Sequence, residues 1–191
     1  MKKTVLTFGL ISGAVMSALM LLTMPFIDKI GFDRGYVVGY TSMVLAFLLV
    51  FFGIRSYREN VGDGYISFGR ALGVGLLITL ISCICYVITW EIIYFNFLPD
   101  FVDKYGSYVV EKARASGASA EQIAKQVEEV KQFKIMYANP LLNVAMTILE
   151  PLPVGLILTF VSALILQRRR RDLQNYQDQV KENPVHHVNP V

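Results

Sequence analysis

Two carboxylates, Glu91 and Glu150, are the residues of this 191-residue chain best placed to do chemistry, because they lie in or beside long apolar stretches. An ionisable residue at membrane depth is costly and is by default a candidate functional residue. Two carboxylates in one poorly hydrated site disfavour double ionisation, which gives a proton acceptor near neutral pH. The alternative is that each is wetted at the membrane interface or paired with a Lys or Arg.

The remaining reactive residue types form no recognisable site. Cys83 and Cys85 are two positions apart, about 200° around a helix, so they face different directions and favour neither a metal site nor a disulfide. His186 and His187 are adjacent in the tail with no ligand cluster around them. No nucleophile-elbow, zinc-protease or phosphate-loop motif is present. We therefore expect no catalytic residue, no metal and no cofactor, and predict that the protein is not an enzyme.

The distribution of charge indicates a membrane protein. Residues are 54% hydrophobic and 17% charged, against about 25% charged in soluble domains. Four stretches, 5–27, 36–54, 71–90 and 141–166, hold a single charged residue, Glu150. This excludes a soluble globular protein, a disordered protein and a disulfide scaffold. A net charge of +3 is too small and too scattered for nucleic-acid binding.

Each apolar stretch is long enough, or nearly so, to cross a bilayer core of ~30 Å, which needs about 20 helical residues. Backbone groups in hydrocarbon must be paired within the segment, so the spans should be helices. We predict an all-α fold, a four-helix transmembrane bundle in the lipid bilayer, with spans at about 5–27, 36–54, 71–94 and 141–166. The first run is too long for a signal peptide and is expected to be retained.

The spans set the depth of the two carboxylates. Glu91 lies 21 residues after Arg70 and Glu150 lies 18 residues before Arg168, or ~31 and ~27 Å along a helix. Both should therefore lie at a similar level, near the outer edge of the hydrocarbon. Further residues expected in this zone, as in an aromatic belt, are Tyr36, Trp90, Tyr94 and Asn143.

Two prolines leave the start of the fourth span open. Pro151 and Pro153 follow Glu150 directly, and proline inside a helix kinks it. We favour one kinked helix over 141–166. The alternative places Pro151 at the first helical position, which shortens the spanning part to 151–166, ~24 Å.

Basic residues near the span ends predict the orientation. The N-terminus, the 55–70 loop and the C-terminus hold 10 Lys and Arg with net charge +5, against 8 and −1 for the 28–35 and 91–140 segments. Both termini should be cytoplasmic, in the bacterial inner membrane, with a membrane domain over 1–171 and a disordered cytoplasmic tail over 172–191. The predicted topology anchors are Arg55, Arg58, Arg168, Arg169, Arg170 and Arg171.

The largest segment outside the spans, 98–140, has apolar residues at helical spacing on both sides of a break at 116–119. Ser119 and Gln122 fit a capping box at the second helix. We predict an extracytoplasmic helical hairpin between the third and fourth spans. It is either a packed structural cap or a lid that binds a protein partner or a ligand.

Small residues recur every four positions within the spans, which lets helix backbones approach closely. The pattern favours a compact bundle or a homo-oligomer. The predicted packing residues are Gly9, Gly13, Ser17, Gly35 and Gly39.

Several short motifs together resemble a known family. In chain order they are Gly39-Tyr40-x-x-Met43, Gly53-Ile54-Arg55-x-Tyr57-Arg58, Ile66-x-Phe68-x-x-Ala71, Pro99-Asp100-Phe101 and Glu150-Pro151-x-Pro153-Val154-Gly155. Their order and spacing resemble the bacterial domain of unknown function 4199, over roughly residues 5–170. The resemblance implies a small multi-span bacterial membrane protein and assigns no activity and no site residue.

Two functions follow from these features. The first is a non-enzymatic accessory or interaction subunit whose hairpin meets a partner. The second is a small proton-linked transporter or channel component that uses Glu91 and Glu150. A polar, water-accessible cavity reaching both carboxylates would favour the second function, and a solid apolar interior the first.

Overall fold

In a computed structural model that describes residues 1–168, the fold is all-α, as predicted. A single 3-10 turn, Met24–Phe26, joins the first two helices. The α-helices are α1 (Lys2–Thr23), α2 (Ile27–Ile30), α3 (Phe32–Asn60), α4 (Phe68–Asn96), α5 (Phe101–Ala115), α6 (Ala120–Ala138), α7 (Pro140–Ile148) and α8 (Pro151–Leu166).

Four apolar helical stretches of the described chain are long enough to cross a membrane, which identifies a multi-pass membrane protein. They are Lys2–Ile30, Phe32–Asn60, Phe68–Asn96 and Pro140–Leu166. The helices extend several residues beyond the predicted apolar runs at both ends of the second and third spans. Outward-facing apolar side chains such as Leu45, Phe52 and Ile88 are about half exposed, as lipid contact requires.

The spans form a bundle in which α1 and α8 each pack against both α3 and α4. Small residues allow this close approach. A Cβ built on Gly9 would lie 2.8 Å from the Ile81 Cβ, and one built on Gly13 would lie 2.6 Å from the Cys85 Cβ. At the α8 interface, a Cβ on Gly155 would lie 2.9 Å from the Phe47 ring.

Buried hydroxyls link the spans by hydrogen bonds. Ser12 donates from α1 to the Ala46 carbonyl of α3 at 2.9 Å. Thr79 of α4 and Thr159 of α8 share a hydrogen bond of 2.9 Å. Each hydroxyl is thereby satisfied inside the apolar interior, where an unpaired polar group is costly.

At the end of the bundle that holds the N-terminus, backbone hydrogen bonds join the end of α8 to the loop between α3 and α4. The backbones of Ile66 and Arg168 exchange an antiparallel pair of hydrogen bonds, 2.9 and 3.3 Å long. Arg58 donates to the Leu166 carbonyl at 3.4 Å, where a cation complements the helix C-terminus. Arg55 pairs with Glu59 at 2.9 Å. Arg169, Arg170, Arg171 and the tail 172–191 lie outside the described residues.

The fourth span combines the two alternatives left open by the sequence. Leu149 and Glu150 keep right-handed helical dihedrals between α7 and α8, so the chain continues in one general direction. Pro151 is the first residue of α8 and supplies no amide to pair with α7. The hydrogen-bonded ladder is therefore interrupted at Glu150.

Helices α5 and α6 pack side by side and run in opposite directions. Asp103 pairs with Lys134, and Gly106 of α5 packs against Val130 of α6. The predicted capping box is confirmed: the Ser119 hydroxyl accepts from the Gln122 amide at 3.2 Å, and the Gln122 side chain accepts from the Ser119 amide at 2.8 Å. We call these two helices the α5–α6 pair.

Candidate functional site

A cavity of about 360 Å³ lies where the α5–α6 pair meets the bundle. Its volume falls within the range of small-molecule sites, about 300–1,000 Å³. Aromatic rings and methionines supply most of the lining. The lining aromatic residues are Phe32, Tyr36, Tyr40, Tyr86, Trp90, Phe101, Tyr105, Phe133 and Tyr137, and the lining methionines are Met16, Met20, Met24, Met43 and Met146.

The break at Glu150 explains why the interior is open at this end. Helix α8 packs on α3 and α4, whereas α7 packs on α4 and α6. In one half of the bundle, α8 fills the space beside α3. In the other half, α7 packs elsewhere, and aromatic side chains line the open space beside α3. The prolines thus determine where the bundle is solid and where it holds a cavity.

Glu150 supplies the charge of the cavity. Its carboxylate accepts a hydrogen bond from the Tyr86 hydroxyl at 2.8 Å. The part of the lining that the structure describes includes no Lys, Arg or His. Glu150 is therefore a carboxylate in an aromatic cavity with a neutral hydrogen-bond donor beside it.

A chain of hydrogen bonds fixes the wall next to Glu150. The Trp90 indole donates to the Tyr137 hydroxyl at 2.7 Å, and this hydroxyl lies 3.5 Å from the Thr147 hydroxyl. Thr147 donates to Asn143 at 3.1 Å, and Asn143 donates to the Tyr137 carbonyl at 3.3 Å. Burial raises the pKa of Tyr137, so its hydroxyl stays neutral. The network holds α4, α6 and α7 together.

Helix α5 is held over the cavity by rings and ion pairs. Phe32, at the start of α3, contacts the rings of Phe101, Tyr105 and Tyr108 with centroids 5.9, 5.6 and 5.0 Å away. Lys112 pairs with Asp33, and its hydrogen bond to this carboxylate raises the pKa of Lys112. A third contact joins Lys104 to Asp28 at 3.1 Å.

Glu91 does not share the cavity with Glu150. It is half-buried on α4 and is not among the lining residues. One of its carboxylate oxygens is buried and has no hydrogen-bond partner within residues 1–168. The structure therefore gives the two carboxylates different surroundings and does not assemble them into one site.

Gly35 and Gly39, which were predicted to bring two helices close together, are among the residues that line the cavity. A Cβ built on Gly35 would lie 2.6 Å from the Ile27 Cδ1, but a Cβ built on Gly39 would meet nothing within 4 Å beyond its own helical turn. Gly39 therefore differs from the prediction: it adds space to the cavity and brings no second helix close. Ser17 accepts from Thr89 at 2.7 Å, between α1 and α4.

Some residues of the predicted aromatic belt face the interior of the protein instead of the membrane interface. Trp90 is 5% exposed and Asn143 is fully buried, because both take part in the network beside Glu150. Tyr36 is 44% exposed and also lines the cavity. Sequence reasoning missed the aromatic enclosure as a site, because its rings come from four helices that are distant in sequence. The available signal was the recurrence of Tyr and Phe at the ends of those helices nearest Glu150.

The site has the composition of a binding site. Rings and methionines offer contact to an apolar body, and Glu150 and several hydroxyls offer a few polar contacts. Cys83 is buried in the bundle and Cys85 contacts Gly13 of α1, so neither thiol lines the cavity. His186 and His187 lie outside the described residues.

Comparison with known proteins identifies a family and no characterised relative. Residues 7–168 match the family described as a protein of unknown function, DUF4199. The match covers most of the chain, which therefore belongs to this family, as its motifs predicted. No curated protein and no solved structure matches it.

Proposed function

We propose that this DUF4199 protein is a non-enzymatic membrane protein, an accessory or interaction subunit that binds a small, largely apolar molecule between its bundle and its α5–α6 pair. The observation that carries the proposal is the 360 Å³ cavity lined by aromatic and methionine side chains. A solid interior would leave no place for a ligand. Here the break at Glu150 opens a space of the size that small molecules occupy.

The proposed setting is the bacterial inner membrane, with both termini in the cytoplasm and the α5–α6 pair on the outer face. The excess of Lys and Arg in the N-terminus, the 55–70 loop and the C-terminus supports this orientation. The cavity would then open to molecules from the outer leaflet or the periplasm. A protein partner at the α5–α6 pair and self-association through the spans stay predictions.

Filling the cavity tests the proposal. Gly39 lies in the middle of the α3 face that lines the cavity, and its Cβ position is open. Gly39→Phe should therefore fill the space without displacing a neighbouring helix. Gly73→Phe is the matched control, because its Cβ position is equally open and it does not line the cavity.

The measurement is mass spectrometry of small molecules extracted from protein purified out of native membranes in mild detergent. The wild type and Gly73→Phe should carry the same molecule in near-stoichiometric amount, and Gly39→Phe should carry at least fivefold less. The proposal fails if the wild type carries no such molecule, or if Gly39→Phe retains it in full.

A proton-linked transporter or channel component is the second candidate. The presence of Glu150 in the cavity favours it, and the position of Glu91 outside the cavity weakens the paired-carboxylate version. Its test is flux in proteoliposomes as a function of pH. A proton-linked role for Glu150 requires Glu150→Gln to abolish the pH dependence, and an unchanged profile would exclude it.

A further inference from the structure

The cavity carries a negative charge and no positive one among its described lining residues. The Tyr86 hydroxyl is a neutral donor, and one hydrogen bond uses only part of the acceptor capacity of the Glu150 carboxylate. Glu150 is also the N-cap residue of α8. Its side chain accepts no hydrogen bond from the first turn of that helix, so among the described lining residues the carboxylate has no positively charged partner.

An uncompensated charge is costly in this environment. Glu150 is half-buried against apolar side chains, and a carboxylate that loses water without gaining a charged partner carries a free-energy penalty. Asp33, the acidic side chain nearest in sequence to the α3 lining, already pairs with Lys112 on the surface. The nearby bases Lys104 and Lys112 are engaged with Asp28 and Asp33 in the same way. These lysines therefore have partners of their own and do not line the cavity.

The rest of the lining is suited to a cation. The faces of Trp, Tyr and Phe rings attract ammonium and related cations, and aromatic enclosures are a recurrent way to bind quaternary ammonium groups. Within the part of the chain that the structure describes, nine aromatic residues and one carboxylate line this cavity. Methionine side chains next to them adapt to the shape of an apolar body.

We infer that the cavity binds an organic cation, a molecule with an apolar or aromatic body and one ammonium-like centre placed against Glu150. This inference rests on the proposed function, because it names the class of molecule that the cavity takes. Glu150 would act as the counter-ion, and the surrounding rings would exclude water from the pair.

Benzylpyridinium is a suitable probe, because its pyridinium ring quenches tryptophan fluorescence. Trp90 is the single tryptophan of the chain and lines the cavity, so its fluorescence reports on the site directly. Titration of the full chain in a non-ionic detergent should give saturable quenching. Glu150→Gln should raise the apparent Kd at least tenfold, because the amide keeps an acceptor for Tyr86 and loses the charge.

Glu91→Gln is the matched control: it removes a half-buried carboxylate on α4, next to Trp90, that does not line the cavity. It should leave the Kd within twofold of the wild type. The cation inference is overturned if quenching is only linear, as for random collisions, or if Glu150→Gln binds as tightly as the wild type. A cooperative thermal unfolding transition for Glu150→Gln, with a midpoint at least as high as that of the wild type, verifies that the variant is folded.

Diphenylmethane, which has nearly the same shape without the charge, separates this inference from the proposed function. A ligand that binds the folded state raises the unfolding midpoint. If diphenylmethane raises the midpoint and benzylpyridinium does not, the cavity binds small molecules but the inference of a cation is wrong. If neither compound raises the midpoint, or if each raises it as much in Gly39→Phe as in the wild type, both the inference and the proposed function are contradicted.

Discussion

At the level of single residues, Glu91 and Glu150 show that surroundings, more than residue type or depth, decide what a carboxylate can do. Both lie near the same end of the bundle. Glu150 accepts from Tyr86 and lines the cavity, whereas Glu91 has a buried oxygen with no partner within the described chain. The difference arises because Glu150 lies at the break between two helices and Glu91 lies within a continuous one.

Replacing Gly155 with Ala tests how closely α8 packs at the level of one methyl group. A Cβ there would meet the Thr79 methyl and lie 2.9 Å from the Phe47 ring, and both belong to well-packed neighbours. Overpacking of this kind costs about 1–3 kcal/mol. We therefore expect Gly155→Ala to lower the free energy of unfolding, measured by denaturant or heat in detergent.

Gly73→Ala is its control, since a Cβ at Gly73 meets nothing within 4 Å beyond its own turn. The gain in helix propensity from Gly to Ala, up to about 1 kcal/mol, should leave this variant as stable as the wild type or slightly more stable. Equal stability of the two variants would show that α8 does not pack as described.

At the level of elements, two kinds of contact hold the α5–α6 pair on the bundle. The ion pairs of Lys104 and Lys112 are exposed, and pairs of this kind contribute little each, about 0.2–1 kcal/mol. Phe32 instead contacts three rings of α5, and aromatic pairs add about 0.5–1.5 kcal/mol beyond their buried area. The ring of Phe32 should therefore be the stronger attachment.

Hydrogen exchange measured by mass spectrometry distinguishes these contributions. Phe32→Ala should increase exchange across α5 severalfold, because the helix loses its ring contacts with the bundle. Lys112→Met should produce a smaller increase, and Lys125→Met none, since within residues 1–168 Lys125 pairs only inside α6, with Glu129 at 3.9 Å. If Lys112→Met increased exchange in α5 more than Phe32→Ala did, the ion pair with Asp33 would be the stronger attachment.

At the level of the whole molecule, the described chain has two distinct ends. One end holds the N-terminus and the loop bonded to Arg168, and the other holds the cavity and the α5–α6 pair. Four membrane-crossing spans would place the loop between α3 and α4 and the turn between α5 and α6 on opposite sides of the membrane. We predict from the charge distribution that the first side is cytoplasmic.

Labelling of introduced cysteines tests this topology. In a chain whose two native cysteines are replaced by alanine, Ser116→Cys should react with a membrane-impermeant maleimide added outside intact spheroplasts. Asp63→Cys should react only after lysis. The reverse pattern would invert the orientation, and labelling of both from one side would contradict four spans.

Much of the fold follows from the sequence, and the site follows only in part. Long apolar runs predict the spans, because hydrocarbon imposes helices of a minimum length. The capping box at Ser119 also follows from local chemistry, and both of its hydrogen bonds are present. In contrast, the inward position of Trp90 depends on Tyr137, which is 47 residues away, and no local pattern encodes that contact.

The sequence by itself determined the membrane-spanning character, the helices and the family, and it singled out Glu150 as a candidate, because each depends on local composition or on motifs along the chain. Only the tertiary structure decided that Glu150 and Glu91 have separate surroundings, that Gly39 faces open space, and that aromatic rings from four helices enclose one cavity. The physical reason is that a cavity is the volume that packed helices leave unfilled. Its shape and lining depend on how α7 departs from α8 at Pro151, which composition and periodicity do not specify.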